Sequence, residues 1–167
     1  MVAPTSRKKI KDFASYIRNC FGLFDIGFFP LLDFIEIVLP QIDPEFNFCV
    51  EEDWEMGNDQ ANYNIQNKTM KVRQSVYEGA CCGNGRDRFT LAHEIGHYFM
   101  HNNIMLSRVE PGIRIPAYRD PEWQANTFAA ALLMPDHLII GLTPQEIAVK
   151  CGTSNSAATI AYENLYK

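Results

Sequence analysis

A chain of 167 residues, with 47% hydrophobic and 21% charged side chains, is long enough to enclose a core and does not have the composition of a disordered protein. Acidic residues outnumber basic ones by 20 to 15, which argues against a protein that coats nucleic acid, because such domains carry a basic face. Five cysteines without paired metal-ligand spacing indicate reduced thiols, as in a cytoplasmic protein.

The N-terminal part predicts two helices and no membrane anchor. Apolar residues at helical spacing predict a first helix over residues 8–20, and a second over residues 31–39 is expected to stop at Pro40. The apolar stretch 21–39 superficially resembles a signal peptide or a membrane span. Charged residues and Pro30 interrupt it, so the chain is interpreted as soluble and unprocessed.

Two short segments with alternating apolar and polar residues predict strands. The first contains Phe46, Phe48 and Val50, and the second begins at Met70 and extends as far as Val76. Turn-forming residues at 62–69 separate them. We therefore expect a small antiparallel sheet, with the second segment as an edge strand able to hold an extended peptide by strand addition.

The next predicted helix begins after the breaker Gly83-Asn84-Gly85, with Asp87 as its cap, and runs to about His101. Cys81 and Cys82 precede it and are weighed as redox-active or metal-contacting residues, although ordinary reduced thiols are the simpler interpretation. After the helix, residues 102–119 predict a long irregular linker, and long loops beside a site often shape its substrate cleft.

The long helix carries the pentapeptide His93-Glu94-Ile95-Gly96-His97. Positions 93 and 97 stack on one helix face, about 5.4 to 6 Å apart, so both imidazoles can bind one metal ion. Glu94 is not a ligand in this pattern. It takes the proton of the water that the metal acidifies, which is the role of the Glu in an H-E-x-x-H motif.

The third protein ligand of such a site has two candidates. His101 continues the series 93, 97, 101, but a rotation of about 40° per four residues carries it about 80° away from His93. Glu122 instead lies in the first turn of a separate predicted helix, 121–133, and can approach the ion from another direction. Asn126, one turn further on, is expected to hydrogen-bond a ligand imidazole. The predicted ligands are therefore His93, His97 and Glu122, a set that favours Zn²⁺.

The C-terminal segment predicts two more helices. Thr143-Pro144-Gln145-Glu146 is a capping box, Gly152 ends the helix that it opens, and Thr153 or Ser154 caps a last helix to about Leu165. This layout resembles a helix-turn-helix, so a DNA- or repressor-binding regulator is the alternative function. The last helix lacks the cations that DNA binding needs. The apolar residues of both C-terminal helices are instead expected to pack against residues 138–142. These residues are Ile147, Ala148 and Val149 in the first helix and Ile160 and Leu165 in the last.

Two sequence blocks, 88–101 (RFTLAHEIGHYFMH) and 122–135 (EWQANTFAAALLMP), resemble the ImmA/IrrE family of zinc metallopeptidases in composition, order and separation. The resemblance covers residues 70–167. It implies a compact gluzincin-like catalytic domain, with metal ligands at His93, His97 and Glu122 and the general base at Glu94. It also implies site-specific cleavage of a DNA-binding repressor, which turns on the genes of a mobile element or of a stress response.

The sequence thus predicts an α+β fold: a compact, mostly helical zincin-like domain with a small antiparallel sheet before the H-E-x-x-H helix. One domain is expected over 1–167, divided into N-terminal helices (1–45), sheet (46–78), zinc-site helices (86–135) and C-terminal helices (136–167). The predicted activity is that of a cytoplasmic zinc endopeptidase acting on a protein substrate, without binding nucleic acid or membrane. Candidates for a further group that stabilises the oxyanion are Tyr98, Tyr118, Arg119 and His137.

Overall fold

The computed structural model describes residues 2–101 and 116–166, and is 60% helical with a small three-stranded mixed sheet. A π-helix, Phe34–Val38, joins α2 to α3, and a 3₁₀ helix spans Ala117–Arg119. The α-helices, in chain order, are α1 Arg7–Cys20, α2 Leu31–Asp33, α3 Leu39–Ile42, α4 Gln74–Cys81, α5 Gly85–His101, α6 Pro121–Leu133, α7 Asp136–Ile139, α8 Pro144–Cys151 and α9 Asn155–Leu165. The strands are β1 Asn47–Glu51, β2 Ala61–Asn64 and β3 Thr69–Arg73.

Several predicted helix ends are confirmed. The carboxylate of Asp120 accepts the N–H of Glu122 at 3.0 Å, which caps α6. Both hydrogen bonds of the capping box between Thr143 and Glu146 open α8, and α8 ends at Gly152 in the left-handed conformation, φ +62°. Helix caps can be predicted from the sequence alone, because the residues that form them lie within one helical turn of each other.

Other boundaries differ from the predictions. Pro40 does not end the second helix, because it lies in the first turn of α3, where a missing N–H is tolerated, and the helical path continues to Ile42. Val76 belongs to α4 and not to a strand. The cap of α5 is Asn84, whose side-chain oxygen accepts the N–H groups of Arg86 and Asp87 at 3.0 and 3.3 Å, so the prediction of Asp87 was wrong.

The sheet has the order β1-β3-β2 and is mixed, not antiparallel throughout. β1 runs parallel to β3, with Phe48 opposite Met70, whereas β2 runs antiparallel to β3, with Tyr63 opposite Met70. The strand β2 was not predicted, because two of its four residues are asparagines, which are rare in strands. The segment expected at the edge, β3, is the central strand, and β2 is the edge strand beside α5.

The core is built around the pair α5 and α6. Gly96 allows their close approach: a Cβ at this position would lie 2.8 Å from the carbonyl oxygen and 2.9 Å from the Cα of Ala125. On other sides α5 contacts α4 and β2, and Tyr98 of α5 packs edge-on against Phe46 and Tyr63. The glycine inside the H-E-x-x-H motif therefore determines how near α6 can come to the two histidines.

The C-terminal helices pack against the rest of the fold, though not with every predicted residue. Ile147 and Ala148 are buried, and Leu165 packs against the core. Val149 and Ile160, however, are 85% and 60% exposed, so their assignment to the core was wrong. The reason is geometric: α8 is only two turns long and buries a single face, and α9 buries only Ala158 fully.

Among the described residues, no helix is both long and apolar enough to cross a membrane. Most of the predicted linker over residues 102–119 lies outside the described residues. Within the part that is described, Ala117–Arg119 forms a 3₁₀ helix just before α6, where no regular element was expected.

Candidate metal centre

The helix α5 brings His93 and His97 together on one face. Their Nε2 atoms lie 3.0 Å apart, and their rings are nearly perpendicular, at 77°. The spacing of four residues in a continuous α-helix produces this stacking, as expected from the sequence. Both nitrogens face the same small volume beside the helix.

Glu122 reaches this volume from the first turn of α6. Its two carboxylate oxygens lie 3.2 Å from Nε2 of His93 and 3.4 Å from Nε2 of His97. The three residues form a group that could hold a metal ion, with all ligand atoms within 4.8 Å of one another. The side chain of Glu122 is 64% exposed, so the centre opens to solvent on this side.

The donor atoms fit a zinc ion. Tetrahedral coordination at metal–ligand distances of about 2.0 to 2.2 Å separates neighbouring donor atoms by about 3.3 to 3.6 Å. The separations observed here, 3.0, 3.2 and 3.4 Å, are close to that range. Two imidazoles and one carboxylate form the protein ligand set of many hydrolytic zinc sites, in which the fourth position is left for water or substrate.

Asn126 determines which nitrogen of His93 can bind a metal. The amide oxygen of Asn126 lies 3.0 Å from Nδ1 of His93. Because this oxygen only accepts, Nδ1 carries the proton and Nε2 presents its lone pair to the centre. Asn126 lies one turn beyond Glu122 on α6, so one helix supplies both a candidate ligand and the partner of another.

A second chain of hydrogen bonds determines which nitrogen of His97 can bind a metal. The amide nitrogen of Gln124 donates to the carbonyls of Ala3 and Tyr118, both at 2.9 Å, which turns its oxygen toward Nε2 of His101 at 3.2 Å. His101 therefore carries its proton on Nε2 and accepts at Nδ1. Nδ1 of His97, 3.0 Å away, donates to it. Nε2 of His97 is left with a lone pair that faces the centre.

His101 and Gln124 are residues whose role the sequence interpretation missed. His101 was weighed only as a ligand, and the structure places it behind His97, fully buried and outside the three-residue group. Gln124 was not singled out at all. Its sequence signal is a glutamine on the helix face otherwise occupied by buried apolar residues of α6, among them Ala125 and Phe128.

Burial favours the neutral form of His97 and His101. The pKa of His97 is lowered to about 3, mainly by burial and to a smaller extent by the neighbouring histidines His93 and His101. Burial also lowers the pKa of His101, against the opposing effect of the Gln124 hydrogen bond. A neutral imidazole is the form that binds a metal, so His97 is ready for coordination at neutral pH.

Glu94 lies next to the group and is only 8% exposed. Its pKa is raised to about 7, mainly by burial; a hydrogen bond from the backbone of Tyr63 in β2 opposes this shift, and the nearby carboxylates of Glu122 and Asp59 add to it. A carboxyl group with a pKa near neutrality can both accept and return a proton, as a general base requires.

The other residues singled out in the sequence lie in different surroundings. Tyr98 is buried and donates to Asp43 at 3.1 Å, and His137 stacks on Phe24 with its ring nitrogen 2.9 Å from the Phe24 carbonyl. Both are structural in this arrangement. Tyr118 and Arg119 are exposed on the 3₁₀ helix that precedes Glu122. Cys81 and Cys82 are exposed at the end of α4, outside the candidate metal group.

The model of one protein family, described as the IrrE N-terminal-like domain (Peptidase_M78), matches residues 55–148. The chain belongs to this family. No curated protein matches the chain. The matched residues include the H-E-x-x-H helix, Glu122 and both hydrogen-bond partners from α6, so the centre lies inside the family domain. Membership supports a metallopeptidase-type function for this IrrE-like protein, and α1 and α9 lie outside the matched region.

Proposed function

We propose that this IrrE-like protein is a zinc-dependent endopeptidase with His93, His97 and Glu122 as ligands. The observation that carries the proposal is the convergence of these donor atoms within 4.8 Å, next to a buried carboxyl group, in a chain of the Peptidase_M78 family. Two imidazoles and one carboxylate favour zinc over the harder cations, which prefer oxygen ligands.

The chain's own residues supply the proton transfers. When bound, zinc lowers the pKa of a coordinated water and polarises the scissile carbonyl. Glu94 accepts the proton of the attacking water and then returns it to the amine of the leaving peptide. The backbone N–H of Tyr63 orients the carboxylate, and the burial of Glu94 raises its pKa toward the range in which it can exchange a proton with substrate.

The strand β2 is the element best placed to hold the substrate backbone. It is an edge strand of the described sheet, and its residue Tyr63 contacts Glu94. A substrate segment added along this edge would run past the catalytic carboxylate in extended form, the shape that a peptidase needs for attack on one bond. This replaces the expectation from the sequence for residues 70–76, because β3 is already paired on both sides.

The proposed substrate is a cytoplasmic helix-turn-helix repressor. The support is the resemblance of the two sequence blocks around the centre to the ImmA/IrrE peptidases. The alternative of a DNA-binding regulator is disfavoured by α9, in which Glu163 is the sole charged residue, since duplex binding requires cations that neutralise phosphates.

Mapping of protein N-termini in host cells tests the activity and the substrate together. Cells that produce the parent protein are compared with cells that produce Glu94→Gln, with zinc content measured for both proteins. We expect new N-termini inside a repressor only with the parent. If no new N-terminus depends on Glu94, the endopeptidase proposal is wrong. If such termini appear only in proteins that do not bind DNA, the repressor assignment alone is wrong.

A further inference from the structure

A groove of about 660 Å³ lies next to the metal centre and is lined by residues of α1, α5, α6, α7 and α9. Thr90 and Arg86 line it from α5, at one and two turns before His93, and Asn126 and Ala130 line it from α6, at one and two turns after Glu122. Residues three, four, seven or eight apart share a helix face. The helix faces that carry the candidate ligands therefore continue toward the groove, and Asn126, whose amide oxygen lies 3.0 Å from Nδ1 of His93, links the groove to the centre.

Half of the residues that line the groove are apolar, and its basic residues Arg7 and Arg86 are exposed at the rim. Phe89 and Trp123 are the largest apolar residues, and Ile160 is exposed. Among the described residues, four charged side chains line the groove: the cations Arg7, Lys11 and Arg86 and the anion Asp136, which pairs with Lys11 at 2.7 Å. Cations thus predominate here by three to one, in a chain where anions predominate by 20 to 15. The local charge complements an acidic ligand, unlike the protein as a whole.

Two walls of the groove come from outside the family domain. α1 contributes Arg7 and Lys11, and α9 contributes Ile160 and Ala161, whereas the family match covers residues 55–148. Ile160 is 60% exposed although it is a large apolar residue on the groove side. The candidate catalytic residues therefore lie inside the matched family domain, but the surface next to them is made in part by segments outside that domain.

We propose that this groove is a substrate-specificity site that binds apolar side chains flanked by an acidic residue, on one side of the scissile bond. The inference rests on the proposed peptidase function. The occupant is the substrate polypeptide: its apolar side chains contact Phe89, Trp123 and Ile160, and its carboxylate lies at the rim near Arg86 and Arg7.

Peptide binding is measured by the fluorescence of Trp123, in a Trp54→Phe background because Trp54 is 80% exposed and does not line the groove. The probes are three capped twelve-residue peptides: one of Leu, Ala and Glu, one with each Glu replaced by Lys, and one with each Leu replaced by Ser. We expect the Leu/Glu peptide to shift Trp123 emission to shorter wavelength and to bind at least about tenfold more tightly than the Ser peptide.

Two groove variants have matched controls elsewhere. Arg86→Glu should weaken binding of the Leu/Glu peptide about fivefold and make the Lys peptide the tighter ligand, as reversal of one exposed charge allows. Ile160→Asp should weaken binding of the Leu/Glu peptide. Lys8→Glu and Val149→Asp, at exposed residues that do not line the groove, should leave binding unchanged.

Cleavage of a proteome-derived peptide library then separates this proposal from the peptidase proposal. We expect parent cleavage sites to be enriched in acidic residues beside apolar ones, with the acidic enrichment lost in Arg86→Glu. If the library is cleaved in a Glu94-dependent way but Arg86→Glu and Ile160→Asp change neither binding nor site preference, the groove is not a specificity site and the peptidase stands. If the peptides bind as expected and nothing is cleaved, the peptidase proposal fails while the binding groove remains.

Discussion

The amide oxygen of Gln124 lies 3.2 Å from Nε2 of His101. Through His101, this contact determines which ring nitrogen of His97 carries the proton, so that Nε2 keeps its lone pair for the metal centre. The carbonyls of Ala3 and Tyr118 hold the amide in that orientation. The residues before α1 and the 3₁₀ helix before α6 thus contribute to the centre without contacting it.

Gln124→Leu should weaken zinc binding about 10- to 100-fold, the usual effect of losing a partner of a ligand histidine. Without the acceptor, His101 can place its proton on Nδ1, which favours the wrong tautomer of His97. Chelator competition measures the affinity, and nitrogen NMR of the metal-free protein reports the tautomers. Gln145→Leu, on the exposed surface of α8, is the control. Unchanged His97 tautomers in the Gln124 variant would contradict this role.

Glu122→Ala should weaken zinc binding by more than the loss of an outer hydrogen-bond partner, because it removes one of three donor groups. His101→Ala removes only a hydrogen-bond partner of a ligand, so it should weaken zinc binding by no more than about 10- to 100-fold. The same chelator titration compares the two variants. If the His101 variant loses the metal and the Glu122 variant retains it, the ligand assignment is reversed.

Glu94→Gln should retain zinc while its cleavage rate falls to about a thousandth of the parent rate or less, because both general-base catalysis and water positioning are lost. Cleavage of the peptide library and metal analysis of the same preparations measure the two properties. Glu78→Gln, an exposed residue of α4, is expected to behave like the parent. Loss of zinc from the Glu94→Gln protein would assign Glu94 a ligand role instead.

In the metal-free protein, the contribution of Glu94 to stability should be lost as the pH rises from about 4.5 to 7, while His97, whose folded-state pKa is lowered, contributes in the opposite sense. The folded-state pKa of Glu94 is raised to about 7 from an ordinary value of 4.5, so in this window the unfolded chain releases a proton that the folded chain keeps. The decrease is about 3 kcal/mol at most and is complete above pH 7. Urea unfolding in the presence of a chelator should show that the stability of Glu94→Gln relative to the parent protein increases over this pH window, and identical profiles would refute the prediction.

Gly96→Ala should destabilise the protein by about 1 to 3 kcal/mol, the usual effect of overpacking. In an exposed helix the same change stabilises by about 1 kcal/mol. Here the new methyl group would lie 2.8 Å from the carbonyl oxygen of Ala125, so α6 must move away and Glu122 with it. Thermal unfolding and zinc titration should both show a loss. A stabilised variant with unchanged affinity would show that the two helices can separate without moving the centre.

The local features of this protein could be read from its sequence. The stacking of His93 and His97 follows from helical periodicity, and the caps at Asp120 and Thr143 act within one turn. Such features depend only on neighbours in the chain. The cap of α5 was the exception, because Asn84 and Asp87 are both competent caps and only the backbone path selects Asn84.

Features that depend on distant segments were decided by the tertiary structure. The parallel pairing of β1 with β3 and the edge position of β2 follow from how the strands are arranged, which short alternating patterns do not specify. The contact of His101 with Gln124, and through it with Ala3, joins segments far apart in the chain. The groove likewise requires α1 and α9 to meet the α5–α6 pair. A periodic pattern indicates which face of a helix is buried, but only packing determines which segment covers it and which residues, such as Ile160, remain open to a ligand.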